Sequence, residues 1–306
     1  MSLSLILAVL LDHWLGEPQK YHPLIFFGNL ANRIEKLFRQ QQHSALRQKI
    51  MGLIALLLMT LPATVIVYSL TQYAVINTLL APVILYFCIA ANSLKQHATL
   101  VLQALEENNI SLAKKRVAMI VSRQTDNMTE DDVRKATIES VLENGADAVF
   151  APIFWFIVAG PAAVILYRLS NTLDAMWGYK NKQFLYFGWA AARFDDLLNW
   201  IPARLTALSY AVFGQTQQAL KCWKTQAPLL DSPNAGPVMT SGAGSLDLQL
   251  GGPACYHGKV KDKVFFGTDS VAENNDINRA NSLISQSLLL WLFSVVLLQF
   301  IGASLA

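Results

Sequence analysis

IMGLIALLLMTLPATVIVYSLTQYAVINTLLAPVILYFCIAA, residues 50–91, lies inside 45 consecutive residues without a charged side chain, bounded by Lys49 and Lys95. A hydrocarbon core of about 30 Å takes roughly 20 apolar residues per helical crossing, so this run is long enough to cross twice. Ser69, Thr71, Gln72 and Asn77 supply a polar turn near its middle. The expected structure is a helical hairpin with spans over 50–68 and 73–91.

The same reading extends outward. Residues 148–167 are uncharged, but Pro152 and Gly160-Pro161 interrupt them, so this segment is expected to be broken, re-entrant or kinked. Residues 280–306 carry no charge and include LLLWLFSVVLLQFIG, a C-terminal span. Residues 201–213 are short and contain Arg204, which favours a core or interfacial helix. The start, MSLSLILAVLLDHWLGEP, lacks a basic leader region and a small-residue cleavage site, so a retained short helix is expected.

The fold class that follows is an all-α polytopic membrane protein. It is expected to be a helical bundle with about four to five membrane-embedded segments and a Gly/Pro-rich loop region. One membrane-embedded domain is expected over 1–306. Its parts are a hairpin at 50–94, cytoplasmic helices at 92–147 and a span or re-entrant segment at 148–167. A polar site segment with the Gly-rich loop at 168–282 and a C-terminal span at 283–304 complete it.

Composition agrees, with 53% apolar and only 15% charged residues against the usual quarter or so charged. A net charge of +3 is too small and dispersed for a nucleic-acid footprint. Cys88, Cys222 and Cys255 are odd in number and widely spaced, which fits neither a disulfide framework nor a zinc site. The five histidines form no metal-ligand pair at helical spacing.

Basic residues set the expected orientation. Arg33, Lys36, Arg39, Arg47 and Lys49 precede the hairpin, and Lys95, Lys114, Lys115, Arg116, Arg123, Arg134 and Lys135 follow it. Both flanks are therefore expected on the cytoplasmic side. A full crossing by 148–167 would put the basic stretch 168–200 outside, whereas a re-entrant segment would keep it inside; the residues leave both open. Between the spans, 93–109, 111–121 and TEDDVRKATIESVLEN read as helices, the last opened by a Thr cap and three acids.

Three constellations can carry chemistry. ESVLENGAD places Glu139 and Glu143 four residues apart on one helical face, with Asp147 to follow if the helix persists through Gly145. Such carboxylates suit a hard cation such as Mg²⁺, although a solvated acidic face gives the same spacing. NTLDAMWGYKNKQFLYFGWAAARFDDLLNWIPARLTA packs Asn171, Asp174, Lys180, Arg193, Asp195, Asp196 and Arg204 among aromatics. Interleaved acids and bases suit phosphoryl chemistry, and the same pattern suits an aromatic, snorkelling membrane interface. The third is the Gly, Pro, Ser and Asn-rich stretch 229–269, read as a structured loop whose backbone N–H groups can form an anion nest, with an ordinary loop as the alternative. It contains neither a P-loop nor a dinucleotide fingerprint.

Taken in order along the chain, these segments resemble the CobD/CbiB family, membrane adenosylcobinamide-phosphate synthases of cobalamin biosynthesis. The resemblance is carried by Asp12, Gly16, Glu17, Pro18, His22, Pro23 and Gly28, then by ESVLEN, APIFW, NTLDAMWGYKN, FGWAAARFDDLLNWIPARLTA, SPNAG and LGGP with Tyr256. It departs at SRQTD, where Gln124 stands in place of an acid, at ENGADA, and after SPNAG.

The resemblance implies ATP-dependent amide formation. A propionate of adenosylcobyric acid, the corrinoid substrate, condenses with the amine of aminopropanol phosphate or a related ethanolamine-type amine. It further implies Mg²⁺ on Glu139, Glu143 and Asp147 with Asp174, Asp195 or Asp196, and phosphate contacts from Arg123, Lys180, Arg193 and Arg204. Asn171 and Asn234 would orient amine or amide, and Tyr256 joins the substrate contacts. Partners would be membrane lipid and other cobalamin-pathway membrane enzymes, in the bacterial inner membrane with the site at its cytoplasmic face. The rival class is a non-catalytic AmpE-like signalling protein; a transporter ranks last, lacking a repeated pair of broken segments.

Overall fold

The computed structural model describes residues 1–18, 20–40, 42–256 and 259–305, with backbone alone at 256, 259, 260 and 305. In chain order its helices are α1 (Ser2–Leu15), α2 (Pro23–Phe38), α3 (Ala45–Thr71), α4 (Ala74–Cys88), α5 (Ala91–Glu106), α6 (Ile110–Val117), α7 (Glu130–Gly145), α8 (Ala151–Trp177), α9 (Trp189–Phe213), α10 (Thr216–Gln226), α11 (Ala235–Leu246) and α12 (Asn275–Leu305). Four three-residue strands, β1 (Gln249–Gly251), β2 (Ala254–Tyr256), β3 (Lys259–Lys261) and β4 (Phe265–Gly267), pair as β1 with β4 and β2 with β3, both antiparallel.

Among the described residues four helical stretches are long and apolar enough to cross a membrane: Ala45–Thr71, Ala74–Glu106, Glu130–Trp177 and Asn275–Ser304. The all-α polytopic fold read from the sequence is the observed one. The 50–91 run folds as α3 and α4 with the turn at Gln72 and Tyr73. Of the four polar residues expected to supply that turn, Ser69 and Thr71 lie inside α3 and Asn77 inside α4. The segment with Gly160-Pro161 is broken as expected: Gly160 sits at φ 75°, ψ −164° inside α8, a conformation open essentially to glycine alone.

The chain divides into two compact units, residues 1–90 with 151–200, and 91–150 with 201–306. In the first, Phe27, Ala55, Leu56, Leu173, Trp177 and Phe187 belong to one buried cluster. Gly52 lets the backbone of α3 meet the segment after α8, since a Cβ there would lie 1.9 Å from the Phe187 carbonyl oxygen. The N-terminal motif is built into the same unit. His22 caps α2 by accepting the Leu24 N–H at 3.2 Å, Pro23 occupies the first helical turn where its missing N–H costs nothing, and Tyr86 donates to the Gly16 carbonyl at 2.7 Å.

The second unit corrects one expectation. Residues 235–246 of the Gly-rich stretch form α11, buried from Gly236 to Leu246, rather than a loop. Glycine and serine lower intrinsic helix propensity, but here they permit close packing. A Cβ at Gly242 would stand 2.7 Å from Leu142, and one at Gly244 2.8 Å from the Ala219 Cα. The hydroxyls donate outward, Ser241 to the Ala207 carbonyl at 2.7 Å and Ser245 to that of Tyr210 at 2.8 Å. Tyr210 in turn donates to the Leu142 carbonyl at 3.0 Å.

Candidate functional site

In the second unit the site begins with a strong helix start. Thr129 accepts the Asp132 N–H while the Asp132 carboxylate accepts the Thr129 N–H, a capping box that satisfies two orphan donors. Three turns on, Glu139 is buried at 8% exposure. One of its oxygens accepts from the Arg123 guanidinium and the other accepts the Gly251 N–H at 2.7 Å. Both oxygens are engaged in joining α7 to the 121–128 loop and to β1.

That loop is also fastened to β2. The Gln124 N–H donates to the Cys255 carbonyl at 2.9 Å, and the Cys255 thiol donates to the Gln124 side-chain oxygen at 3.0 Å. Gln124, the departure from the resembled motif, is therefore a partner of the LGGPACY segment. The side chain of Tyr256 lies outside the described residues.

Glu143 is exposed, and among the described residues no ion-pair partner lies within 4 Å of its carboxylate. Asp147 is half-buried. It falls in a π-helical turn, Ala146–Phe150, whose i→i+5 bonding takes the residues that follow out of α-helical register. The three acids expected on one face thus meet three environments: bound, open and half-buried. Among the described residues no three or more His, Cys, Asp or Glu side chains gather to hold a metal ion. The donor set fits Mg²⁺ held by one or two carboxylates with substrate phosphate oxygens, and does not fit an all-protein cage.

Arg204 of α9 holds the other end of the SPNAG turn, donating to Asn234 Oδ1 at 3.1 Å and to the Pro233 carbonyl at 3.2 Å. Asn234 is buried just before α11. The pairing of these two residues, both picked out from sequence, is a direct contact.

In the first unit α8 and the opening of α9 bring together most of the second constellation. Asp195, 7% exposed, accepts from Asn171 Nδ2 at 3.2 Å and from Asn199 Nδ2 at 3.0 Å. Asn199 in turn accepts from the Tyr167 hydroxyl at 3.0 Å. Burial pushes the Asp195 carboxyl up to about 6, opposed by the two amide donors and aided by neighbouring Asp196. Asp196 is also raised by burial, against the lowering effects of Arg193 and Lys180. Arg193 reaches it at 3.4 Å from an exposed position, and Lys180 is exposed as well. Asp174 stands half-buried on α8, its carboxylate against Gly178, where a Cβ would lie 1.9 Å from Oδ1.

Tyr167 lies in none of the motifs quoted from sequence, and Asn199 stands inside FGWAAARFDDLLNWIPARLTA without a role of its own, four residues after Asp195 and so on the same helical face. Tyr167 offers no such signal, because its partner comes from another helix.

A model of the CobD/CbiB protein family matches residues 5–284. A relative from Stutzerimonas stutzeri, described as cobalamin biosynthesis protein CobD, is 51% identical over 290 residues, 95% of each chain. One of the same description from Chromobacterium violaceum is 47% identical over 293 residues, 95% of this chain and 94% of its own. Another from Pelobacter propionicus is 35% identical over 274 residues, covering 86% and 84%. No solved structure matches the chain.

Proposed function

This chain belongs to the CobD/CbiB family, and from that premise we propose that it is the amide ligase of cobalamin assembly, joining adenosylcobyric acid to aminopropanol phosphate with ATP and Mg²⁺. The observation that best supports the chemistry is Asp195: a buried, hydrogen-bonded carboxylate raised to about 6, beside the cations Arg193 and Lys180 that act on Asp196. A general base works best when its proton affinity lies near the working pH.

A carboxylate is a poor electrophile, so the corrinoid propionate is first activated as an acyl phosphate by transfer from ATP. The amine nitrogen then attacks the acyl carbon. The C–N bond forms, the C–O bond to phosphate breaks with the electron pair leaving on phosphate, and the nitrogen's proton passes to the Asp195 carboxylate. Lys180 and Arg193 are the candidate phosphate contacts, since exposed cations can turn to a phosphate without abandoning a buried partner. Arg123, already held by Glu139, orients the loop it belongs to.

Mg²⁺, when bound, supplies charge neutralisation for transferring phosphate oxygens. Glu143 and Asp147 are the carboxylates of the second unit with the chemistry to hold it. The large amphiphilic corrinoid is proposed to reach the site along the cytoplasmic membrane surface, the side indicated by the basic flanks. The test is complementation of a strain unable to convert cobyric acid to cobinamide phosphate. Rescue by the wild type, with loss in Glu143→Ala, Asp196→Ala and Lys180→Ala, is expected. Failure of the wild type removes the ligase reading, and full rescue by all three variants removes these residues from the site.

A further inference from the structure

A cavity of about 460 Å³ in the second unit is lined from α6 by Ser111, Lys114 and Lys115, and from the 121–128 loop by Thr125 and Asp126. Its size falls within the range of about 300–1,000 Å³ usual for small-molecule sites. Spacings of three and four residues put Ser111, Lys114 and Lys115 on one face of α6. Lys114 Nζ donates to the Asp126 carbonyl at 2.8 Å, which fixes one ammonium group at the cavity, and Lys115 is exposed. Among the described residues neither lysine has an ion-pair partner. Thr125 is only 7% exposed, and among the described residues its hydroxyl takes part in no hydrogen bond. A buried hydroxyl without a partner is costly, and an acceptor oxygen in the cavity would engage it.

We propose that this cavity binds a phosphate monoester, whose oxygens accept from Lys114, Lys115, Ser111 and Thr125. Lysine ammonium groups serve as point charges for phosphate. The start of α6 adds to them. Asn109 accepts the Leu112 N–H at 3.0 Å, while the N–H groups of Ile110 and Ser111 precede the first intrahelical bond and favour negative charge there. Lysines in the last turn also complement the helix dipole, but that role requires neither the Thr125 hydroxyl nor the cavity. Asp126 is the one acid of the lining and opposes an anion. The site uses none of the side chains given to the ligase reaction, so it stands apart from that reading. A bound phosphate would tie α6 to the loop that Arg123 and Gln124 fasten to α7 and β2.

Two sources carry this group, a soluble phosphate monoester and the headgroup of phosphatidic acid. In one arm the full-length protein in phosphatidylcholine nanodiscs is given ethyl phosphate, and binding is followed by calorimetry. In the other, phosphatidic acid is included in the nanodiscs and the lipid retained by the protein is counted by native mass spectrometry. Lys115→Gln is expected to weaken binding about fivefold and Thr125→Val about threefold. Asp126→Asn is expected to tighten it by roughly twofold, a gain that a misfolded variant would not give.

Saturable binding of ethyl phosphate supports the site with a soluble ligand, and retention of phosphatidic acid alone supports it with a lipid. Binding in neither arm overturns the proposal. So does binding that Lys115→Gln or Thr125→Val leaves unchanged, or that Asp126→Asn weakens.

Discussion

Gly251 donates its backbone N–H to Glu139 Oε1 at 2.7 Å, and this bond, with Arg123 on the other oxygen, makes Glu139 the joint between α7, the 121–128 loop and β1. The second unit thereby gains a fixed wall along α7. Removing one partner from a buried charged pair leaves the other uncompensated.

Glu139→Ala is accordingly expected to destabilise the protein by roughly 3–5 kcal/mol, with Arg123 left unpaired. Glu139→Gln retains an acceptor for Gly251 and should lose less. Thermal unfolding in detergent, followed for both variants, checks the order. Equal stability of Glu139→Ala and wild type would mean that the joint does not hold the wall.

Gly52 faces the Phe187 carbonyl so closely that no side chain fits. Gly52→Val is expected to cost about 1–3 kcal/mol through overpacking, and to lower activity by displacing the 178–188 segment that carries Lys180. A comparable change at Gly302, with open space around it, should leave both unfolding temperature and turnover unaltered.

The raised carboxyl of Asp195 makes stability depend on pH. With a folded value near 6 and an unfolded value of about 3.9, the folded state binds the proton more tightly. Its contribution is complete below about pH 4 and is lost as pH rises through about 6. Asp195→Asn removes that loss. Unfolding temperatures of wild type and Asp195→Asn should therefore diverge between pH 4.5 and 7.5, with the variant gaining relative to wild type. The variant should also lose ligase activity. A difference constant across that range would contradict a raised Asp195.

Much of this architecture was readable from residues alone, for physical reasons. The uncharged 50–91 run, the Gly160-Pro161 break and the Thr129 cap are local signals, and each is where the sequence put it. Residues 235–246 misled because their glycines and serines weaken a helix considered by itself, while their effect in place is close packing against Leu142 and Ala219. Asp195 and Asn171 were legible as polar residues in an aromatic-rich stretch. Tyr167 was not, because its bond to Asn199 joins residues 32 apart in sequence. Asp147 was expected to extend the Glu139 and Glu143 face, and the π turn in which it falls has no spacing signature.

The most direct test is mass spectrometry of the corrinoid formed when membranes carrying the protein are given adenosylcobyric acid, aminopropanol phosphate, ATP and Mg²⁺. A product heavier by the amine less one water, formed with ADP and phosphate in equal amounts and abolished in Asp195→Asn, is the predicted result. Unaltered adenosylcobyric acid with wild-type protein, or product formed equally well by Asp195→Asn, would contradict the account.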